Sequence, residues 1–134
     1  MRRILSMWLA VFGVLMIGIA LAHFLFGQVT YIGGGEVNAT MDSDLRFLNV
    51  LFVAYGAAFV WASRDVVGRA REINVLGLLF FVGAIGRVLA WILSGAPTPF
   101  YVAMLIVEFV IPVVHYFALR MLTTSSPAGA PASG

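Results

Sequence analysis

An all-α integral membrane protein, a bundle of four transmembrane helices, is the fold class this sequence predicts. Three observations predict it. Of 134 residues, 62% are hydrophobic and 10% charged, against about 45–50% apolar and about 25% charged in a soluble domain. With a mean hydropathy of +1.03, so short a chain cannot hide its apolar surface from water, and most of it must be solvated by lipid. Finally, the sequence divides into four apolar runs separated by short polar connections, and the arginines fall on alternate connections.

The expected helices cover 4–26, 45–63, 73–93 and 100–122. At about 1.5 Å per residue, each reaches most or all of the way across a hydrocarbon core of about 30 Å. Residues 1–122 thus form one transmembrane domain. The first run follows Arg2-Arg3, and Ala20-Leu21-Ala22 resembles a cleavage site. It nevertheless exceeds the 7–15 apolar residues of a signal peptide and reads as a retained helix. Residues 27–44 read as a loop carrying Gly33-Gly34-Gly35 and three acids, and Asn38-Ala39-Thr40 there is a glycosylation sequon of little weight. Residues 64–72 read as a second loop, and 94–99, with Pro97 and Pro99, as a tight turn into the last helix. From Thr123 the chain is Ser, Pro, Ala and Gly, a composition that cannot form a core, so 123–134 is expected to be a disordered cytoplasmic tail.

Arginine placement predicts orientation. Arg2, Arg3, Arg64, Arg69, Arg71 and Arg120 fall at the amino end, in the middle loop or at the last helix end, and the other two loops contain no basic residue. By the positive-inside rule both termini are cytoplasmic, N-in and C-in. The all-Arg basic set in an Ala-, Gly- and Val-rich background suggests a bacterial source, hence the bacterial plasma (inner) membrane. Scattered arginines with no accompanying motif argue against a nucleic-acid partner despite the basic pI. The lipid bilayer is the first partner.

Catalytic signatures are missing. There is no HExxH, GxSxG or phosphate-binding loop, and no cysteine for a disulfide, thiolate zinc site or nucleophile. His23 and His115, on different helices at opposite depths, make a poor metal or haem site. No catalytic, cofactor-binding or metal-binding residue is therefore assigned, and the chain is expected not to be an enzyme. Four helices also enclose too little space for a channel.

Polar residues at membrane depth carry the rest. An Arg at mid-membrane costs about 2.5–3.5 kcal/mol on insertion scales and usually finds a partner. Arg87 lies six residues, about 9 Å, below the outer end of the third helix, and Glu108 eight residues, about 12 Å, below that of the fourth. A six-residue turn makes these helices antiparallel neighbours, so the two charges should pair, facing the bundle. Arg46 and Asn49 share a face near the outer end of the second helix, and His23 lies about 5 Å below that of the first. One polar group from each helix then gathers into a buried cluster: Arg87, Glu108, Arg46, Asn49 and His23. It could be structural glue, a pocket or proton site open to the outer leaflet, or a contact with another subunit. For Arg46, snorkelling to the interface is the default. For His115, a hydrogen-bonded structural role is the default.

Small residues should pack the helices: Ala54, Ala58 and Ala62 in the second, Gly18 and Ala22 in the first, Gly83, Gly86 and Ala90 in the third. Pro112 should kink the fourth helix. Trp8, Trp61, Trp91, Tyr31 and Tyr101 fall near the expected interfaces, as an aromatic belt would.

Arg46-Phe47 with Gly56, Gly83-x-x-Gly86-Arg87, Gly95-x-Pro97-x-Pro99, and Glu108 with Pro112 together resemble a family of small bacterial four-helix membrane proteins known mainly as a domain of unknown function. The resemblance covers roughly residues 42–120; Ala84 and Ala90 depart from its pattern. It implies no catalysis. A narrower likeness to one member of that family implies a non-enzymatic accessory subunit of a membrane transport complex, whose partner is the membrane permease subunit of an Mce-type lipid importer and whose role is assembly, stability or regulation. The residues themselves leave open an autonomous binder or carrier of a lipid or small anion.

Overall fold

In the computed structural model, which describes residues 1–125, four long helices account for nearly all of the chain. They are α1 (Arg2–Phe26), α2 (Ala39–Ser63), α3 (Ala70–Ser94) and α4 (Pro99–Thr124), with one 3-10 turn, Gly27–Thr30, after α1. All four are long and apolar enough to cross a membrane. The chain has an all-α, four-helix architecture, as its apolar runs predict. The last nine residues of the expected tail, 126–134, lie outside the described residues, but Thr123 and Thr124 belong to α4.

Helix boundaries differ most at α2. It begins at Ala39, six residues before the apolar run, because Asn38 caps it: its side-chain oxygen accepts from the Met41 N–H at 2.9 Å. Asp42 in the first turn adds charge complementary to the helix dipole. Hydropathy alone cannot register a polar first turn, so 39–44 reads as loop. The residue that looks like a sequon asparagine is a helix cap. Similarly α3 starts at Ala70, and 64–69 is a compact turn in which the Asp65 carboxylate accepts from the Gly68 N–H at 3.0 Å. Arg69 folds back over the Trp61 ring, 3.9 Å from its centroid.

The helices pair as α1 with α2 and α3 with α4, while α2 and α3 touch sparingly. The tightest seam lies between α1 and α2. A Cβ at Gly13 would stand 2.6 Å from the Gly56 carbonyl oxygen, and one at Gly56 would stand 2.7 Å from the Gly13 carbonyl oxygen. Close backbone approach between membrane helices depends on such positions. The stripe expected on α2 is different in kind. Ala62 is buried in the core, Ala58 is half-buried and Ala54 is exposed. Gly18, Gly83 and Gly86 pack nothing: each is exposed, with open space where a Cβ would be. The expectation that they pack the bundle is corrected, because small-xxx-small spacing marks a face without saying which way it points.

Core packing concentrates at the end of the bundle holding the termini. There Leu5, Leu9, Phe59, Ala62, Val66, Ile73 and Leu119 form one cluster. Two polar links close it. Ser6 donates to the Ser63 carbonyl at 2.6 Å, and the Trp8 indole donates to His115 Nε2 at 2.8 Å, joining α1 to α4. Tyr55 likewise donates to the Leu76 carbonyl across the α2–α3 seam. Pro112 lies within α4, buried, and packs opposite Gly77 of α3.

Substitution of Gly13 or Gly56 by Ala forces the two backbones apart. A loss of about 1–3 kcal/mol, the scale of overpacking, is expected in detergent melts of either variant. Gly18→Ala, at an open position, leaves the melting temperature unchanged.

Candidate functional site

The five polar residues expected to gather form two separate groups at the end of the bundle away from the termini. The first group builds a scaffold. Gly27 ends α1 with φ of 66°, a conformation that favours glycine, and the Arg46 guanidinium lies 2.6 Å from where its Cβ would be. Arg46 thereby reaches the C-terminal end of α1, donating to the Phe24 and Leu25 carbonyls at 2.6 and 3.3 Å while pairing with Asp42 at 2.8 Å. It caps a helix; it does not join Arg87. Asn49, buried on α2, donates to the Tyr31 hydroxyl at 2.8 Å and to the Leu45 carbonyl at 2.7 Å. The His23 ring stacks on Tyr31, 3.8 Å between centroids, and meets the Thr30 hydroxyl. Tyr31, assigned by sequence to an aromatic belt, is thus the hub of this group. No periodicity could show that, because it sits outside any helix.

The second group is the ion pair. Arg87 Nε lies 2.7 Å from Glu108 Oε2, joining α3 to α4. The two side chains are unequal: that of Glu108 is 6% exposed and that of Arg87 is 44% exposed. Glu108 faces the bundle and Arg87 reaches it from outside, which corrects the expectation that both face inward. At 2.7 Å the contact is as close as a charge-assisted hydrogen bond between guanidinium and carboxylate. Tyr101 adds its ring 5.5 Å from the guanidinium carbon.

Around this pair the bundle is open. A cavity of about 490 Å³ lies beneath the segment joining α1 to α2, walled by Tyr31, Gly33, Gly34, Trp91, Thr98 and Tyr101, with Arg87 in its lining. Gly33, at φ of 71°, lets that segment close on Thr98, whose methyl would stand 2.2 Å from a Cβ there. A second cavity of about 450 Å³ is a cleft between α2 and α3, lined by Leu48, Leu51, Phe52, Leu79, Phe80 and Gly83, with Arg87 and Glu108 in its lining. Arg87 stands at the junction of the two. Sequence reasoning finds the pair but not the cleft, which exists because α2 and α3 diverge.

His115 is elsewhere. It is buried near the other end among Phe12 and Phe59, with Trp8 on Nε2, a structural setting for a histidine. Among the described residues no three His, Asp or Glu side chains converge to hold a metal ion.

Four membrane-length helices with an ion pair between two of them define a small multi-pass membrane protein. The chain belongs to the family described as a domain of unknown function, DUF4345, which matches residues 4–119. No curated protein and no solved structure matches it.

The inequality of the pair has a measurable sign. Arg87→Met leaves a buried carboxylate without a cation, and up to about 3–5 kcal/mol of stability should be lost. Glu108→Gln leaves a half-exposed guanidinium that can reach toward the interface, and costs less. The double variant recovers much of the larger loss. Thermal melts of the three variants give the cycle, and strictly additive losses would mean the residues do not pair.

Proposed function

We propose that this chain is a non-enzymatic accessory subunit of a membrane transport complex that handles lipid, oriented N-in and C-in in a bacterial plasma membrane. One observation carries the partner: glycines left open on the outward faces. Gly18 on α1 and Gly86 on α3 have nothing within 4 Å of where a Cβ would be. A glycine facing lipid adds no packing of its own, but it lets the backbone of another transmembrane helix approach. The internal seam is already supplied by Gly13 and Gly56. The open glycines are thus a surface for a second protein.

Resemblance supplies the kind of partner. Within the family that its motifs resemble, the chain looks like LucB, an accessory subunit bound to the permease of an Mce-type lipid importer. In that reading the chain docks beside permease helices and supports assembly, stability or regulation of uptake. The cavities flanking Arg87 favour a second reading, an autonomous binder or carrier of a lipid or small anion. Affinity purification from native membranes with mass spectrometry separates the two. The accessory reading expects a permease subunit to co-purify, and expects Gly18→Leu or Gly86→Leu to release it while the chain still accumulates. Co-purification unchanged in both variants would remove the reading.

Orientation is tested independently. Six of the eight arginines lie at the end carrying the termini and the α2–α3 turn, which the positive-inside rule places in the cytoplasm. In a chain with no native cysteine, an impermeant thiol reagent should label Gly35→Cys in intact cells and Ser125→Cys only after the membrane is opened. The reverse pattern would invert the protein.

A further inference from the structure

We propose that the Arg87 junction is a binding site for one membrane phospholipid, whose phosphodiester meets Arg87, whose polar head fills the cavity beneath the α1–α2 segment, and one of whose acyl chains lies in the α2–α3 cleft. This deepens the lipid-handling part of the function proposed above and does not depend on a partner protein.

Charge points to an anion. Arg87 sits seven residues from the end of α3, about 10 Å along the helix, where its half-exposed guanidinium gains from a second anion or must reach toward the interface. Its Nε edge is turned to Glu108, so the terminal Nη groups are what remains to meet a second anion, and guanidinium binds phosphate oxygens in this way. Glu108 also limits the charge accepted. Beside a carboxylate at 2.7 Å from Nε, a monoanion is tolerated far better than a dianion, and a phosphodiester is a monoanion.

Shape points to an amphiphile. The two cavities that meet at Arg87 are both mainly apolar, and they differ in the polar groups set into that lining. The cleft side is lined by Leu48, Leu51, Phe52, Leu79 and Phe80 beside Gly83, which is exposed and has open space above it. This is a wall for an alkyl chain. The other side sets polar groups among apolar neighbours such as Ile32, Leu45 and Trp91: Gln28, Tyr31, Tyr101 and Thr98, whose hydroxyl is buried without a hydrogen-bond partner among the described residues. Each cavity falls within the range of about 300–1,000 Å³ typical of small-molecule sites. A fatty-acid carboxylate would satisfy Arg87 but leave the 490 Å³ cavity nearly empty. A phospholipid places its anion at the junction and a further polar group beyond it, and the open α2–α3 cleft lets it enter sideways from the bilayer.

Native mass spectrometry of the purified full-length chain in non-ionic detergent tests this. The probes are dioleoylphosphatidylglycerol, dioleoylphosphatidylethanolamine, oleic acid and soluble glycerol phosphate. Both phospholipids should form a one-to-one adduct, with oleic acid and glycerol phosphate much weaker. Arg87→Gln should weaken the adduct roughly tenfold or more, the scale of one lost charge-assisted hydrogen bond, and Arg87→Lys should restore part of it. Gly83→Leu fills the cleft at a position where a Cβ meets open space, one helical turn before Arg87, and should weaken the adduct while leaving the melting temperature intact. Gly18→Leu, remote from both cavities, should not change it. Adducts indifferent to both Arg87→Gln and Gly83→Leu overturn the site. Oleic acid binding as tightly as the phospholipids overturns the phosphodiester, and glycerol phosphate doing so overturns the role of the cleft. Because the assay contains no partner, loss of the adduct with a permease still co-purifying removes this inference alone. A robust adduct with no partner found removes the accessory reading instead.

Discussion

Helices dissolved in hydrocarbon gain nothing by hiding apolar side chains from one another, since lipid tails are as apolar as leucine. What holds them is contact that lipid cannot supply as well: backbone against backbone, and polar group against polar group. In this bundle the first is concentrated where Gly13 and Gly56 bring α1 and α2 together. The rest of the architecture follows from where that seam lies. Beside it the aromatic rings of Phe12, Phe59, Phe80 and Tyr55 interlock edge to face, and toward the termini the core closes. Away from it α2 and α3 part, and the space between them is left to solvent of one kind or another.

The Arg87–Glu108 pair belongs to that second region. Its task in the fold is narrow: it gives the buried carboxylate of α4 a counter-charge from α3. The scaffold group solves a different problem, the exposed carbonyls at the end of α1 and the placement of the segment that follows. Arg46 does this from the first turn of the second apolar run, and Tyr31 from outside any run. The two groups share an end of the bundle but not a set of contacts, and Tyr31 connects them by facing both Asn49 and the cavity that Arg87 enters.

Much of the fold is legible in the sequence because lipid imposes a strong pattern. Long apolar runs, proline before α4 and arginine on alternate connections are one-dimensional signals. The ion pair is legible for the same reason, since a short turn and helical rise fix the depth of both residues. What the sequence hides is rotational. Spacing shows that Gly83 and Gly86 share a face, and that Ala54, Ala58 and Ala62 do, but not whether the face meets a helix or the bilayer. Gly13 has no small neighbour at four-residue spacing, so spacing does not mark it. The polar first turn of α2 stays hidden because hydropathy registers Asn38 and Asp42 as loop, whereas capping chemistry makes them the start of a helix.

The link from Trp8 to His115 has a consequence for how the molecule is made. Its two residues are 107 positions apart, nearly the whole chain, and a ribosome adds about 5–20 residues per second. The indole of the first helix therefore enters the bilayer roughly 5–20 s before its imidazole partner exists. The α1–α2 seam, by contrast, is complete as soon as the second helix arrives. Assembly is ordered by that interval: the first hairpin zips on its glycines, and an unanswered N–H on its flank marks the place where the last helix must dock.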